Sequence, residues 1–223
     1  MNATLAEPLS APRALLNPVV ALIVAAALGY GYVVSLAWHP YPASWLLKAM
    51  PALILGALAL DALRGRERVL MVAAYLGAAA GDVFLDLDRT GYLRHGLACF
   101  LVTQVGFALV FSRRATPMPK RMPLVALLVA AMLVLLVVAW PNLGAMRIPV
   151  VVYLGALLWM TGAATMIRGN PWIGVGAVAF LVSDAMIGVS QFIAPFAYST
   201  QWIVGTYVSA MLLIGRGMFV PRR

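Results

Sequence analysis

Eight apolar segments of about 20 residues fill most of this chain, and that is the length a helix needs to cross a hydrocarbon core of roughly 30 Å at 1.5 Å per residue. They run from Pro18 to Trp38, Ala43 to Leu63, Val69 to Leu87, Tyr92 to Phe111, Met122 to Trp140, Ile148 to Ile167, Pro171 to Ile193 and Ser199 to Gly215. No soluble domain of appreciable size fits between them. The fold class this predicts is all-α: a polytopic membrane protein built as a bundle of eight transmembrane helices. Composition agrees, since 64% of the 223 residues are hydrophobic and 10% charged, against about a quarter charged in a soluble domain. Residues 1–17 read as a cytoplasmic N-terminal leader, 18–215 as the transmembrane domain and 216–223 as a basic cytoplasmic tail. The first apolar stretch exceeds the 7 to 15 residues or so of a signal-peptide core, so it is kept as a span.

The net charge of +9 would suggest nucleic acid in a soluble protein. Here the basic residues lie in short connections, where membrane orientation and anionic headgroups account for them and no nucleic-acid partner is expected. Assigning connections alternately to two faces puts Arg13, Arg64, Arg66, Arg68, Arg113, Arg114, Lys120, Arg121, Arg168, Arg216, Arg222 and Arg223 on the face of the termini. The opposite face receives Arg89, Arg94 and Arg147. A split of twelve to three predicts both termini in the cytoplasm and a place in the cell's inner membrane. Cys99 is the one cysteine, which excludes an internal disulfide, and it reads as a packing residue.

An ionisable residue at mid-membrane costs at least about 2.5–3.5 kcal/mol, so one found there is a functional candidate by default. Lys48, Asp82 and Asp184 stand out. Asp82 lies 14 residues beyond Arg68 and Asp184 lies 13 beyond Pro171, which places both about 20 Å from the inner boundary. Lys48 reaches a similar level from the opposite side. Asp86 is one turn beyond Asp82 and Tyr75 two turns before it on one helical face, while Ser183 precedes Asp184 and Gln191 lies two turns beyond it. Gln104 and Tyr207 fall at comparable depths, and together these residues are candidates to line a wet cavity opening outward, with Lys48, Tyr75, Asp86, Gln104, Ser183, Gln191 and Tyr207 as candidate substrate-binding residues. The plainer readings are that Lys48 snorkels to the outer interface, that Asp86 and Asp88 are solvated at the outer end, and that the tyrosines and glutamines are interhelical packing or hydrogen-bond residues. His39 and His95 read as interfacial.

Two histidines on separate connections and no cysteine cluster predict no metal site. No Ser sits in a Gly-x-Ser-x-Gly turn, which argues against a serine hydrolase. What remains is a carboxylate pair. Two aspartates at one depth in a low-dielectric interior share charge poorly, so the pair holds a proton between them and supplies a general acid and a general base. A proton-coupled transporter uses the same inventory, and the residues alone do not choose.

The stretch Tyr75-Leu-Gly-Ala-Ala-Ala-Gly-Asp82-Val-Phe-Leu, then Gly96-Leu-Ala-Cys-Phe100, Phe180-Leu-Val-Ser-Asp184 with Gln191-Phe192, and Thr206-Tyr207, together with Lys48 and Pro51, resembles the YhhN-like lysoplasmalogenase family. The resemblance covers most of the chain from about Lys48 to Ile214. It implies an eight-span hydrolase that needs no cofactor and acts on a lysophospholipid within the membrane lipids. The reaction cleaves the vinyl ether bond of a lysoplasmalogen to a fatty aldehyde and a glycerophospho-headgroup. The same resemblance makes Asp82 and Asp184 the expected catalytic pair and gives Lys48 a phosphate or an aspartate to serve. The chain departs from the family pattern at Gln104, where a histidine is expected, and at Met211, where a glutamine is expected. Gln does not titrate and Met donates no hydrogen bond, so a lipid or small-molecule carrier and a non-catalytic lipid-binding protein stay open beside the enzyme.

Overall fold

A computed structural model describes residues 20, 22–31, 34 and 44–219. Among these the chain is a bundle of helices, with α1 (Leu22–Gly31) the short first one. It is followed by α2 (Ser44–Ala62), α3 (Gly65–Leu87), α4 (Leu93–Arg114), α5 (Met122–Ala139), α6 (Arg147–Thr165), α7 (Pro171–Phe192) and α8 (Ser199–Phe219). Seven of these, with short 3₁₀ extensions around α5 and α6, are long and apolar enough to cross a membrane. The protein is a polytopic all-α membrane protein, as the apolar runs predict. The leader at 1–17, part of the first predicted segment, His39 and residues 220–223 lie outside the described residues. At the other terminus α8 continues to Phe219, past the Gly215 limit of its apolar run. Arg216 stays helical with its guanidinium 4.3 Å from the Trp172 ring centroid, a cation–π contact that ties α8 to the start of α7.

Successive helices run up and down, and the contacts at the two ends of the bundle show it. At the end that carries residues 63–68, Arg114 pairs with Glu67, Arg121 donates to the Thr165 carbonyl at 2.5 Å, and Ala115 bridges to Ile167. At the other end Asn142 donates to the Phe192 carbonyl at 2.6 Å. The basic residues of the larger group that are described therefore cluster at one end, as the alternation requires.

Helices in lipid gain no hydrophobic drive from meeting one another, so close approach at small residues and interhelical hydrogen bonds hold the bundle. The α3–α4 pair shows this best. A methyl group on Gly81 would meet the Phe100 ring at 2.6 Å, and one on Gly77 the Cys99 carbonyl at 2.8 Å. Thr103 donates across the same seam to the Ala74 carbonyl at 2.9 Å. The α7–α8 pair repeats the device, with Gly176 against the Ala210 carbonyl and Ser183 donating to the Ile203 carbonyl at 3.0 Å. By contrast α5 buries only Met132 and Ala139 and forms an apolar outer wall beside α6 and α7. In α2, Pro51 lacks an N–H and leaves the Leu47 carbonyl without its helical donor, one residue before Lys48.

Candidate functional site

Three connected cavities occupy the end of the bundle away from residues 63–68. One, the polar chamber, brings together the charged and polar side chains Lys48, Asp82, Arg89, Ser183, Asp184 and Tyr207. A second is lined almost wholly by apolar side chains of α3, α4, α5, α6 and α7, among them Leu97, Met132, Leu136, Leu157 and Phe192. Leu85, Phe100, Asp184 and Ile187 line both. The third is a vestibule at the bundle end, with Tyr30, Asp86, Asp88, Arg89 and Thr200 in its walls. Leu85 and Arg89 connect it to the polar chamber.

The aspartates reach this place from different neighbourhoods. Asp82, 3% exposed, accepts a hydrogen bond from the Tyr207 hydroxyl at 2.9 Å through Oδ2, and the Lys48 ammonium acts on it electrostatically across the chamber. Asp184 is less buried. Its Oδ2 accepts from the Tyr153 hydroxyl at 2.7 Å and from Gln104 Nε2 at 3.2 Å. Gln104 Nε2 also lies 3.2 Å from the Tyr153 hydroxyl, so Tyr153, Gln104 and Asp184 form a closed triangle across α6, α4 and α7. Gln104 Oε1 is buried without a hydrogen-bond partner.

Lys48 does not snorkel outward. It is 8% exposed, its Nζ lies 5.9 Å from the Tyr30 ring centroid, and it faces the polar chamber. The reading of Asp86 as a solvated residue at the outer end is corrected: it is 3% exposed and accepts hydrogen bonds from the Tyr30 hydroxyl at 2.5 Å and from the Ser44 hydroxyl. Those partners come from α1 and α2, which fold over the end of α3. Asp88 does stay exposed and accepts from the Thr90 and Gly91 N–H groups. His95 packs against Phe84 and Tyr92.

Two candidates fall away from the chambers. Tyr75 shares a helical face with Asp82 but lies two turns nearer the other end, fully buried against the Phe107 and Phe219 rings, its hydroxyl without a partner. Gln191 is half-buried and lines none of the three cavities. Ser183 does line the polar chamber, but its hydroxyl donates to the Ile203 carbonyl and joins α7 to α8. Tyr153 and Arg89 are the residues that sequence reading missed. A tyrosine within an apolar span carries no signal of its own, and Arg89 was counted as an interfacial charge although it reaches into the polar chamber. Of the two departures from the family pattern, Gln104 touches Asp184, while Met211 is fully buried in the core. Among the described residues no cluster of three His, Cys, Asp or Glu side chains suits a metal ion.

The arrangement is therefore amphipathic in the way a single-chain lipid is: a long apolar chamber, Asp184 where it meets the polar chamber that also holds Asp82, and two cations on the path to the bundle end. Comparison with known proteins gives the same direction. The sequence model of the YhhN family matches residues 43–218. The chain is 37% identical over 182 residues to a lysoplasmalogenase of Mycobacterium tuberculosis, covering 78% of this chain and 70% of that protein. It is 33% identical over 147 residues to the lysoplasmalogenase TMEM86A of Homo sapiens, covering 61% of this chain and 60% of that one. No solved structure is a significant match.

Proposed function

Because this chain belongs to the YhhN family, we propose that it is a lysoplasmalogenase, an intramembrane hydrolase that cleaves the vinyl ether bond of a lysoplasmalogen to a fatty aldehyde and a glycerophospho-headgroup. The observation that carries this reading is the junction of the two chambers. A lipid with its chain in the apolar chamber and its headgroup toward Lys48 and Arg89 sets the bond between them beside Asp184, with Asp82 in the same polar space.

The chemistry needs little else. A vinyl ether is protonated at carbon to give an oxocarbenium ion, water adds to that ion, and the hemiacetal collapses to aldehyde and alcohol. An acid and a base suffice. Lys48 and Arg89 hold the phosphate, Arg89 by its planar fork and Lys48 as a point charge. Asp86, engaged by Tyr30 and Ser44, sets the position of α1 and α2 over the site. Tyr207 and Tyr153 orient the two carboxylates, and Gln104 takes part through Asp184. The termini face the cytoplasm of a bacterial-type inner membrane, so the vestibule opens to the outer side and the lipid enters from the outer leaflet.

The test is incubation of the purified protein in detergent with a lysoplasmalogen, with free aldehyde as the readout and the saturated alkyl-ether analogue as control. Aldehyde from the first lipid and none from the second is the expected result. Intact lipid, with transport of it in vesicles, overturns the hydrolase reading in favour of a carrier.

A further inference from the structure

The two carboxylates sit at different places along the axis of a bound lipid, and this separates their work. Asp184 lines both the apolar and the polar chamber, whereas Asp82 lines only the polar one. In a vinyl ether the carbon that accepts the proton is the one on the chain side of the double bond. The carbon that water attacks is bonded to the ether oxygen, on the headgroup side. A lipid lying with its chain in the apolar chamber thus presents its proton-accepting carbon toward Asp184 and its water-accepting carbon toward Asp82.

The charge near each carboxylate separates them in the same sense. Asp82 takes its donor, Tyr207, on Oδ2 and so keeps Oδ1 for proton exchange, and Asp184 does the same with two donors, the Tyr153 hydroxyl and the Gln104 amide. Both donors are neutral. Asp82 instead is the carboxylate on which the Lys48 ammonium acts electrostatically, a charge suited to the anion that draws a proton from water.

Resting on the lysoplasmalogenase reading above, we propose that Asp184 is the acid that protonates the alkenyl carbon and that Asp82 is the base that activates water, with Tyr153 as the positioning residue of the acid. In the first step the Asp184 O–H bond breaks and a C–H bond forms from the electron pair of the C=C bond, while an oxygen lone pair completes the oxocarbenium ion. Water then forms the C–O bond as Asp82 takes its proton. In the collapse of the hemiacetal, the hydroxyl proton returns to Asp184. The bond to the glyceryl oxygen breaks, and that oxygen takes the proton held by Asp82. Both carboxylates end as they began, and one water is consumed.

The assignment is tested by incubating lysoplasmalogen in D₂O with wild type, Asp82→Asn and Asp184→Asn, each shown to be folded by size-exclusion profile and lipid binding. With the acid intact and water unactivated, Asp82→Asn still forms the oxocarbenium ion. That ion either returns to substrate or is captured by the neighbouring free glyceryl hydroxyl, whose proton goes back to Asp184, giving a cyclic acetal that is an isomer of the substrate. The expected result is deuterium at the chain-side alkenyl carbon in recovered lipid or in cyclic acetal from Asp82→Asn, and neither from Asp184→Asn.

The milder pair serves if an Asn variant does not fold. Tyr153→Phe is expected to slow turnover about tenfold with aldehyde as the product, and Tyr207→Phe to raise the share of cyclic acetal. The reversed pattern, deuterium from both Asn variants, or deuterium from neither while wild type releases aldehyde overturns the assignment. Absence of aldehyde from wild type counts against the lysoplasmalogenase reading itself.

Discussion

Asp82 and Asp184 are the same residue type lining one chamber, yet the helices around them build two kinds of site. Around Asp82, α2 and α8 contribute Lys48 and Tyr207, a cation and one hydroxyl. Around Asp184, α4 and α6 contribute Gln104 and Tyr153, neutral donors that meet each other as well as the carboxylate. The first half is electrostatic and continuous with the vestibule through Arg89. The second is walled by apolar side chains. The difference teaches that a lipid hydrolase can place polar chemistry inside a membrane by giving each carboxylate its own supporting helices and letting the two halves share one chamber.

The largest effect is expected when either half loses its carboxylate. Asp82→Asn and Asp184→Asn should each cost about 10²- to 10⁴-fold in kcat while leaving lipid binding in place, as measured by aldehyde release and equilibrium binding, because Asn keeps size and polarity but exchanges no proton. Next comes the cation that distinguishes the halves. Lys48→Met should raise KM about tenfold or more with a smaller change in kcat, the signature of a lost headgroup contact, whereas loss in kcat alone would move Lys48 from binding to chemistry.

The scaffold effects are smaller. Gly81→Ala drives a methyl group into the Phe100 ring, which belongs to both chambers. It should destabilise the α3–α4 seam by about 1–3 kcal/mol. Gly155→Ala, with nothing within 4 Å of the added atom, should leave thermal stability unchanged. Smallest of all, Arg114→Gln removes a pair whose side chains are 24% and 32% exposed, and its effect on stability should be below about 1 kcal/mol.

Much of this was legible in the sequence because a charge inside a membrane is costly wherever it sits. Lys48, Asp82 and Asp184 announce themselves by depth alone, and the structure brings all three to one chamber with Tyr207. What stayed hidden depends on how helices rotate and pack. Tyr153 looks like any aromatic in an apolar run until α6 is seen to face α7. Asp86 lies near a helix end, where solvation is the ordinary outcome, and it is buried because Tyr30 and Ser44 arrive from other helices. Tyr75 shares a face with Asp82, but two turns along the axis take it below the chambers and into the Phe107 and Phe219 rings. Arg89 shows the limit of counting charges by connection: the count fits the alternation of the helices, yet says nothing of whether a side chain turns outward to headgroups or inward to the chamber.

That the two carboxylates work as one unit is tested most directly by the turnover of the double variant Asp82→Asn/Asp184→Asn beside the two single variants, read as aldehyde release from lysoplasmalogen by folded protein. Members of a catalytic unit are strongly non-additive, so the double variant should lose about as much as the worse single variant and no more. Losses that multiply, or near-normal turnover in either single variant, would contradict a shared carboxylate site.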